Sequence, residues 1–348
     1  MKHARRVATS TASAREKART GAPTPTSATR PVRLPAFVEP QLATLVATAP
    51  PGDAWLHETK FDGYRTLCRV DQGRATLWSR NAQDWTSRFP RVAAAAARLP
   101  ARQAFLDGEI AVMLPNGTTS FQALQNALSA GGHGQLVYFV FDLVHLDGRD
   151  LTRLSLDERK GMLQRLTGTA QAGTIRYSAH VVGQGAECFR EACRRALEGI
   201  VSKRRDSLYE SGRGRSWLKV KCTKEQELVI GGFTEPKGTR VGLGALLLGV
   251  HEGDGGLAYV GKVGTGFAGD SARRLRARLD RLRVSAPPFR RPPPGASAAR
   301  WVKPELVAEV TFTEWTADGR LRHPSFKGLR EDKPAEEVIR ERPADRRR

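Results

Sequence analysis

A lysine followed closely by an acid, a glycine and an arginine is the feature of this sequence best suited to chemistry. The run is Lys60-Phe61-Asp62-Gly63-Tyr64-Arg65. A free lysine has a pKa of ~10.4 and is mostly a cation at neutral pH. Burial and neighbouring cations lower that pKa and free the lone pair for attack on an electrophile. Lys60 is therefore a candidate nucleophile, and we expect its pKa to be lowered by cations supplied from elsewhere in the chain.

Three further segments have residue types that suit such a site. They are Asp107-Gly108-Glu109, Glu198–Lys203, and Trp217-Leu218-Lys219-Val220-Lys221. Strand side chains repeat every two residues, so the two lysines of the last segment share one face. Each segment alone is weak, because a lysine beside an acid is usually only solvated. The four segments in this order predict a single site.

The pattern resembles the covalent nucleotidyltransferase superfamily of DNA ligases, RNA ligases and mRNA capping enzymes, whose nucleophile motif is KxDGxR. Within it, the sequence is most similar to the ligase domain of bacterial ligase D, the enzyme of non-homologous end joining. The resemblance covers residues 34–340 and is carried by Glu58–Arg65, Ser79–Asn81, Phe141–Leu143, Asp147-Gly148 and Trp301–Lys333.

The resemblance implies an ATP-dependent DNA ligase. Such an enzyme seals nicks in duplex DNA through a lysyl-AMP and then a DNA-adenylate intermediate, in DNA repair or end joining. ATP is the implied AMP donor, and Mg²⁺ or Mn²⁺ the implied metal. The implied partners are duplex DNA with nicks or broken ends, with Ku as a candidate protein partner. We expect a monomer in the bacterial cytoplasm, at the nucleoid and without a membrane.

The resemblance also implies the catalytic and metal-binding residues. The implied catalytic residues are Lys60, Lys219, Lys221 and Asp62. The two later lysines would neutralise the α-phosphate, and Asp62 would orient the metal or the nucleophile. The implied metal ligands are Glu198 and Glu109, because hard oxygen ligands suit magnesium.

The remaining residues are implied to bind the nucleotide. Glu58 would accept a hydrogen bond from the adenine amino group, and Phe141 would stack on the base. Glu109 would hold either the ribose or the metal. The guanidinium groups of Arg65 and Arg80 match phosphate oxygens of the nucleotide or the nick. Lys203 completes the nucleotide contacts. In the C-terminal part, Arg322 and Lys333 would orient the pyrophosphate when that part closes over ATP.

Three alternatives stay open at this point. Glu58 and the Arg330–Lys333 segment argue against a capping guanylyltransferase. An RNA ligase often lacks a C-terminal domain of the kind expected here. A catalytically dead DNA-binding adaptor is disfavoured because every motif residue is intact.

The elements that must position these residues predict an α+β protein. We expect an adenylation domain of antiparallel sheets with helices over 34–224, followed by an OB-fold β-barrel over 225–340. The expected C-terminal elements are strands Glu227–Phe233, Ala245–His251 and Leu257–Val263, a basic helix Asp270–Val284, and a strand Trp301–Trp315. Residues 1–33 are expected to form a disordered basic tail and 341–348 a second basic tail.

Charge and cysteine usage limit the partners. The net charge is +21, and the first 33 residues carry +7 of it. A charge of this size favours a polyanion such as DNA. The four cysteines contain no CxxC pair, so we expect neither a zinc site nor a disulfide scaffold, as suits a reducing cytoplasm.

Overall fold

The computed structural model describes residues 31–129, 135–168, 173–236, 242–253, 255–267, 269–293 and 298–344. From Val32 onward the chain forms one compact unit. It is tied in at its start, where the amide of Val32 donates to the carbonyl of Gly148 at 2.7 Å. The tail predicted over 1–33 lies outside the described residues except for its last three.

The secondary structure alternates short helices with strands and then becomes mostly strands. Up to Lys221 the elements are β1 (Gln41–Leu45), β2 (Trp55–Thr59), β3 (Tyr64–Asp71), β4 (Arg74–Ser79), α1 (Pro90–Ala96), β5 (Gln103–Val112), α2 (Phe121–Ser129), β6 (Leu136–Leu146), β7 (Arg149–Asp150), α3 (Leu156–Thr167), β8 (Ile175–Tyr177), β9 (His180–Val182), α4 (Gly185–Arg194), β10 (Gly199–Arg204) and β11 (Gly212–Lys221). After it come β12 (Lys224–Thr234), β13 (Ala245–His251), β14 (Leu257–Val263), α5 (Gly269–Arg281), β15 (Arg283–Val284), β16 (Ala299–Val302), β17 (Val307–Phe312), β18 (Glu314–Trp315), β19 (Leu321–Arg322) and β20 (Ser325–Leu329).

Two sheets build the N-terminal part. One has the strand order β1-β11-β10-β2-β9, and the other has the order β4-β3-β5-β6-β7 with β8 beside β6. In the first sheet, β10 pairs antiparallel with both β2 and β11. Its Val201 lies opposite Glu58 on one side and opposite Lys219 on the other. This register brings three separate sequence segments to one place.

Helix α3 packs on the second sheet and begins with a capping box. The Ser155 hydroxyl accepts from the Glu158 amide, and the Glu158 carboxylate accepts from the Ser155 amide at 2.9 Å. The helix buries Leu156 and Leu163 in the core, together with Lys160, whose charge has to be paired inside the protein. Among the described residues, no helix is long and apolar enough to span a membrane.

The C-terminal strands wrap around a core of their own. The long strand β12 pairs with β13 along one edge and with β16 and β17 along the other. Buried side chains such as Phe233, Leu248 and Val310 fill the interior. Short antiparallel strands around one apolar core match the small barrel that the sequence predicted.

Two predicted C-terminal elements were wrong in extent. The helix expected over Asp270–Val284 ends at Arg281, because the last two residues of that range form β15 against β16. The strand expected over Trp301–Trp315 is divided into β16, β17 and β18. It breaks at Pro304, which has no amide hydrogen to continue a strand ladder.

The expectation about the cysteines was also wrong for one pair. Cys193 and Cys222 form a disulfide, with their Cα atoms 5.2 Å apart. The register of β10 against β11 explains why. Gly199 lies opposite Lys221, so the end of α4, just before β10, meets the end of β11. A separation of 29 residues conceals this proximity in the sequence.

Candidate active site

Lys60 lies at the junction of β2 and β3, in the turn that joins them. Its amide donates to the carbonyl of Gly199 at 3.0 Å, which holds the turn against the start of β10. Gly63, directly before β3, has to be a glycine because a Cβ there would overlap the carbonyl oxygen of Ile110. The KxDG spacing thus fixes the backbone from which the Lys60 side chain projects.

One cavity collects most of the predicted site. Eleven of the thirteen predicted site residues line it, namely Glu58, Lys60, Asp62, Arg65, Arg80, Glu109, Phe141, Glu198, Lys203, Lys219 and Lys221. Arg322 and Lys333 do not line it. The C-terminal part contributes other walls, among them Glu227, Glu309 and Arg330.

The Lys60 ammonium forms an ion pair with Glu198, whose side chain is only 5% exposed. Burial lowers the pKa of Lys60, but the charges of Glu198 and Glu225 outweigh burial, and the pKa is raised above its ordinary value. The sequence analysis expected the pKa to be lowered by cations, and this expectation was wrong. The charges of the carboxylates therefore determine the protonation of Lys60.

Lys219 and Lys221 are already occupied by a carboxylate. Glu341 approaches Lys219 Nζ at 2.7 Å and Lys221 Nζ at 3.5 Å. Burial raises the pKa of Glu341, but the two lysines outweigh it and hold the pKa at about 2. Burial, with the charge of Lys221, lowers the pKa of Lys219 to about 8. An anion-binding site is therefore present, and a side chain of the protein fills it.

Glu341 belongs to a segment that we had assigned to a basic tail. The segment instead lies against the rest of the unit. Gln226 Nε2 donates to the Ile339 carbonyl at 3.0 Å, the Glu341 amide donates to Gln226 Oε1 at 3.1 Å, and the Ala344 amide donates to the Leu45 carbonyl at 2.8 Å. We call residues 338–344 the strap.

The donor set of the cavity fits a divalent metal. The buried oxygens Glu198 Oε2 and Glu225 Oε1 find no hydrogen-bond partner among the described residues. Burial and the neighbouring charge of Glu225 raise the pKa of Glu198 well above its ordinary range. Magnesium is commonly held by one or two carboxylates, with substrate phosphates and water completing its shell. This pair supplies such ligands.

Glu109, the other predicted metal ligand, lines the same cavity. It does not form a cluster of three ligands with Glu198 and Glu225. In the described part of the chain, no three His, Cys, Asp or Glu side chains converge as ligands. Burial raises the pKa of Glu109 to about 7, although Lys60 and Arg65 act in the opposite direction. Its role at the metal or the ribose stays a prediction.

The floor of the cavity is a buried cluster around Glu58. Lys160 Nζ lies 2.5 Å from one carboxylate oxygen, and Lys203 Nζ and Ser178 Oγ each lie 3.0 Å from the other. Phe141 lies beside it, with Lys203 Nζ 4.2 Å from the centre of its ring. Lys160 and Ser178 come from outside every motif, and no sequence signal pointed to them.

Both predicted phosphate-binding arginines bond to the protein itself. Arg65 makes a two-pronged contact with Asp107 at 2.5 and 2.6 Å, and it lies 4.5 Å from the centre of the Phe141 ring. Arg80 Nε donates to the carbonyl of Asp332 at 3.1 Å. Arg80 therefore ties β4 to the C-terminal part, which only the folded chain reveals.

The C-terminal part reaches the site through residues that the sequence analysis did not select. Lys327 Nζ lies 2.7 Å from Asp62 and 3.3 Å from Glu225. Arg330 pairs with Asp332 at 2.8 Å. The signal in the sequence that could have identified Lys327 and Arg330 was their position shortly after the ligase-like run Arg322-His323-Pro324.

The two predicted C-terminal residues differ in placement. Lys333 Nζ lies 2.5 Å from Glu227, which lines the cavity. Arg322 is exposed on the β18–β19 hairpin and pairs with Glu314. In this arrangement Arg322 is not brought to the site, whereas Arg330 lines the cavity and Lys327 contacts Asp62.

Comparison with known proteins decides the family. The model of the ATP dependent DNA ligase domain matches residues 40–221, and that of the ATP dependent DNA ligase C terminal region matches residues 239–333. The chain belongs to the ATP-dependent DNA ligases. The family and the fold class that the sequence predicted are thereby confirmed.

Individual relatives agree with this assignment. This ligase is 41% identical over 332 residues to the multifunctional non-homologous end joining protein LigD of Pseudomonas aeruginosa, covering 92% of this chain and 39% of that protein. It is 40% identical over 291 residues to LigD of Mycobacterium tuberculosis, covering 82% of this chain and 37% of that protein. The chain thus spans 39% or less of the length of these curated relatives.

A solved structure gives the same answer. The structure described as mycobacterial DNA ligase D complexed with ATP and MES is 38% identical to this chain, with a TM-score of 0.66. The match covers 87% of this chain and 98% of that one. The arrangement of β2, β10 and β11 therefore belongs to a known ligase fold.

The strap generates a prediction about ATP binding. Because Glu341 holds the two lysines, Glu341→Gln should leave them free to bind a phosphate. We expect the KM for ATP in enzyme adenylation to fall several-fold at low salt. Glu336→Gln is the matched control, since Glu336 is an exposed glutamate two residues before the strap. A higher KM in Glu341→Gln than in the control would show that Glu341 positions the lysines for ATP instead of competing with it.

Proposed function

We propose that this chain seals nicks in duplex DNA by way of Lys60-AMP. The observation that supports it best is the cavity, in which Lys60 lies with Glu198 and with the anion site formed by Lys219 and Lys221. A nucleophile beside a pair of phosphate-binding lysines suits attack on an α-phosphate. The family match favours a DNA ligase over the capping enzyme and RNA ligase alternatives.

In the first step, the Lys60 amine attacks the α-phosphorus of ATP. A P–N bond forms, the bond to the pyrophosphate oxygen breaks, and pyrophosphate leaves. Lys60 must first lose a proton to solvent, so the ion pair with Glu198 must separate. Lys219 and Lys221 neutralise the charge that develops on the α-phosphate oxygens as Glu341 withdraws from them.

In the second step, the 5′-phosphate of a nick attacks the same phosphorus, which forms a pyrophosphate bond and returns the Lys60 amine. The 3′-hydroxyl then attacks the 5′-phosphorus and AMP leaves. A divalent metal bound by Glu198 and Glu225 would neutralise charge on the phosphate oxygens in these steps. Asp62 bonds to Lys327 and so links the nucleophile turn to the C-terminal part.

The domain organisation forms part of the proposal. We assign adenylation to residues 34–224 and the OB fold to residues 225–340. Lys327, Arg330 and Lys333 of the second domain support closure over the nucleotide. Glu58 is assigned to the adenine amino group and Phe141 to the adenine ring, because both line the cavity beside Lys60.

The biological setting is proposed from the relatives. The names of the LigD proteins refer to non-homologous end joining, so we assign this ligase to DNA repair at nicks and broken ends. A Ku-type end-binding protein is its proposed partner. The net charge of +21 supports binding to DNA. We assign the protein, as a monomer, to the nucleoid in the bacterial cytoplasm.

The nucleophile can be tested by covalent labelling. Wild-type protein incubated with α-labelled ATP should acquire a label that survives denaturation. Lys60→Ala should acquire none, while Lys262→Ala, which changes an exposed lysine of β14, should label normally. Wild-type labelling of Lys60→Ala would remove Lys60 from its role.

The C-terminal contacts predict a defect that is specific to one step. Lys327→Met and Lys333→Met should slow enzyme adenylation at least ten-fold, because Lys327 pairs with Asp62 in the nucleophile turn and Lys333 pairs with Glu227, which lines the cavity. Sealing of a pre-adenylated nick should change much less. Among the described residues, the exposed Arg322 side chain forms its ion pair with Glu314, so Arg322→Ala should adenylate at close to the wild-type rate.

Two results would contradict this account. Equal losses in adenylation and in sealing would show that Lys327 and Lys333 serve the fold or DNA contact. A strong adenylation defect in Arg322→Ala, without one in Lys327→Met, would show that adenylation uses a different closed arrangement.

A further inference from the structure

Lys160 is a buried lysine outside every segment that the mechanism uses. It lies on α3, about a hundred residues from Glu58 in sequence, and only 2% of its side chain is exposed. Its ammonium donates to Glu58 Oε1 at 2.5 Å and to the carbonyl of Ser178 at 3.0 Å, and it lies 4.5 Å from the centre of the Tyr177 ring. A charged lysine buried this deeply is costly unless it is paired and hydrogen-bonded.

The contacts of Glu58 nearly exhaust its capacity to accept hydrogen bonds. An ionised carboxylate has about four lone-pair sites, two on each oxygen. Lys203 and Ser178 take both sites on Oε2, and Lys160 takes one on Oε1. One acceptor site on Oε1 remains, and Glu58 lines the cavity. The cluster therefore presents one acceptor to a ligand.

We propose that Lys160 is a positioning residue that makes the pocket select a purine with a 6-amino group. It does so by fixing Glu58 as an ionised carboxylate with a single open acceptor. An amino group donates to that acceptor, whereas the 6-carbonyl of guanine is repelled by it. This inference rests on the proposed function, in which Glu58 faces the base.

The charges around Glu58 explain why Lys160 matters. Lys203 from β10 and Lys160 from α3 face it directly. Tyr177 and His180, from β8 and β9, and Asp142, from β6, lie around the two lysines. Burial raises the pKa of Glu58, but the two lysines outweigh burial and lower it. Without the charge of Lys160, the effect of burial is opposed by Lys203 alone, and the pKa of Glu58 rises.

The sign of the pH effect follows from this balance. A carboxyl group is protonated below its pKa, and a protonated carboxyl donates a hydrogen bond that the guanine 6-carbonyl can accept. In Lys160→Met, use of GTP should therefore increase as the pH falls through the raised pKa of Glu58. In the wild type the two lysines lower the pKa of Glu58 below its ordinary value, so the carboxyl group should stay ionised and the nucleotide preference should stay constant between pH 6 and pH 8.5.

The experiment measures covalent labelling rates with ATP, GTP and purine riboside triphosphate, which lacks a 6-substituent, from pH 6 to pH 8.5. For Lys160→Met we expect the ATP-to-GTP ratio to fall at least ten-fold at pH 6 and to recover as the pH rises. Lys160→Arg should keep a ratio close to that of the wild type. Arg165→Met, which changes an exposed residue of the same helix, is the matched control and should behave as the wild type.

A folded Lys160→Met protein that loses rate equally with all three nucleotides, at every pH, would overturn the proposal. If Lys160→Met does not fold, Ser178→Ala decides, because it removes one donor from Glu58 without removing a charge. It should shift the ratio in the same direction by a smaller factor, and an unchanged ratio would overturn the proposal. Failure of the proposed function is a separate result, since wild-type protein would then acquire no label from ATP.

Discussion

Charged groups enclosed between the two parts of this ligase must be paired, and this constraint shapes the site. An isolated buried charge is costly, so each lysine that could serve a phosphate holds a carboxylate of the protein. Lys60 pairs with Glu198, Lys219 with Glu341, and Lys327 with Asp62. All three pairs join residues that are more than a hundred positions apart in the sequence. The same charged residues thus join the walls of the cavity and, in the proposed mechanism, bind the nucleotide.

Under the proposed mechanism, catalysis begins with an exchange of partners. ATP brings phosphate oxygens that compete with Glu341 for Lys219 and Lys221. A cation suits the unpartnered oxygens of Glu198 and Glu225, which would release Lys60 from Glu198. Lowering the pKa of the nucleophile is then a consequence of binding, and not a property of the folded chain alone. This is why an argument from the neighbouring lysines gave the wrong direction for the pKa shift of Lys60.

The sequence was sufficient to predict the strands that carry the motifs. It was insufficient to predict the residues from distant segments that contact those strands. Alternation within β11 placed Lys219 and Lys221 on one face, and the order of the motifs predicted one site. Lys160 and Glu341 lie about a hundred residues or more from their partners, on a helix and on a segment whose local sequence shows only an amphipathic or basic character. The Cys193–Cys222 bond depends likewise on the register of β10 against β11. Such contacts are set by tertiary packing, which local periodicity does not encode.

The exchange of partners can be measured directly at the Lys60 ammonium. Lysine-selective NMR of isotopically labelled protein, with the Lys60 signal assigned from Lys60→Arg, gives the pKa of that group with and without Mg²⁺ and a non-hydrolysable ATP analogue. We expect Lys60 to titrate above the ordinary lysine range in the free protein and to fall below it when the analogue and Mg²⁺ are bound. A Lys60 pKa that is already below the ordinary range in the free protein would contradict the account.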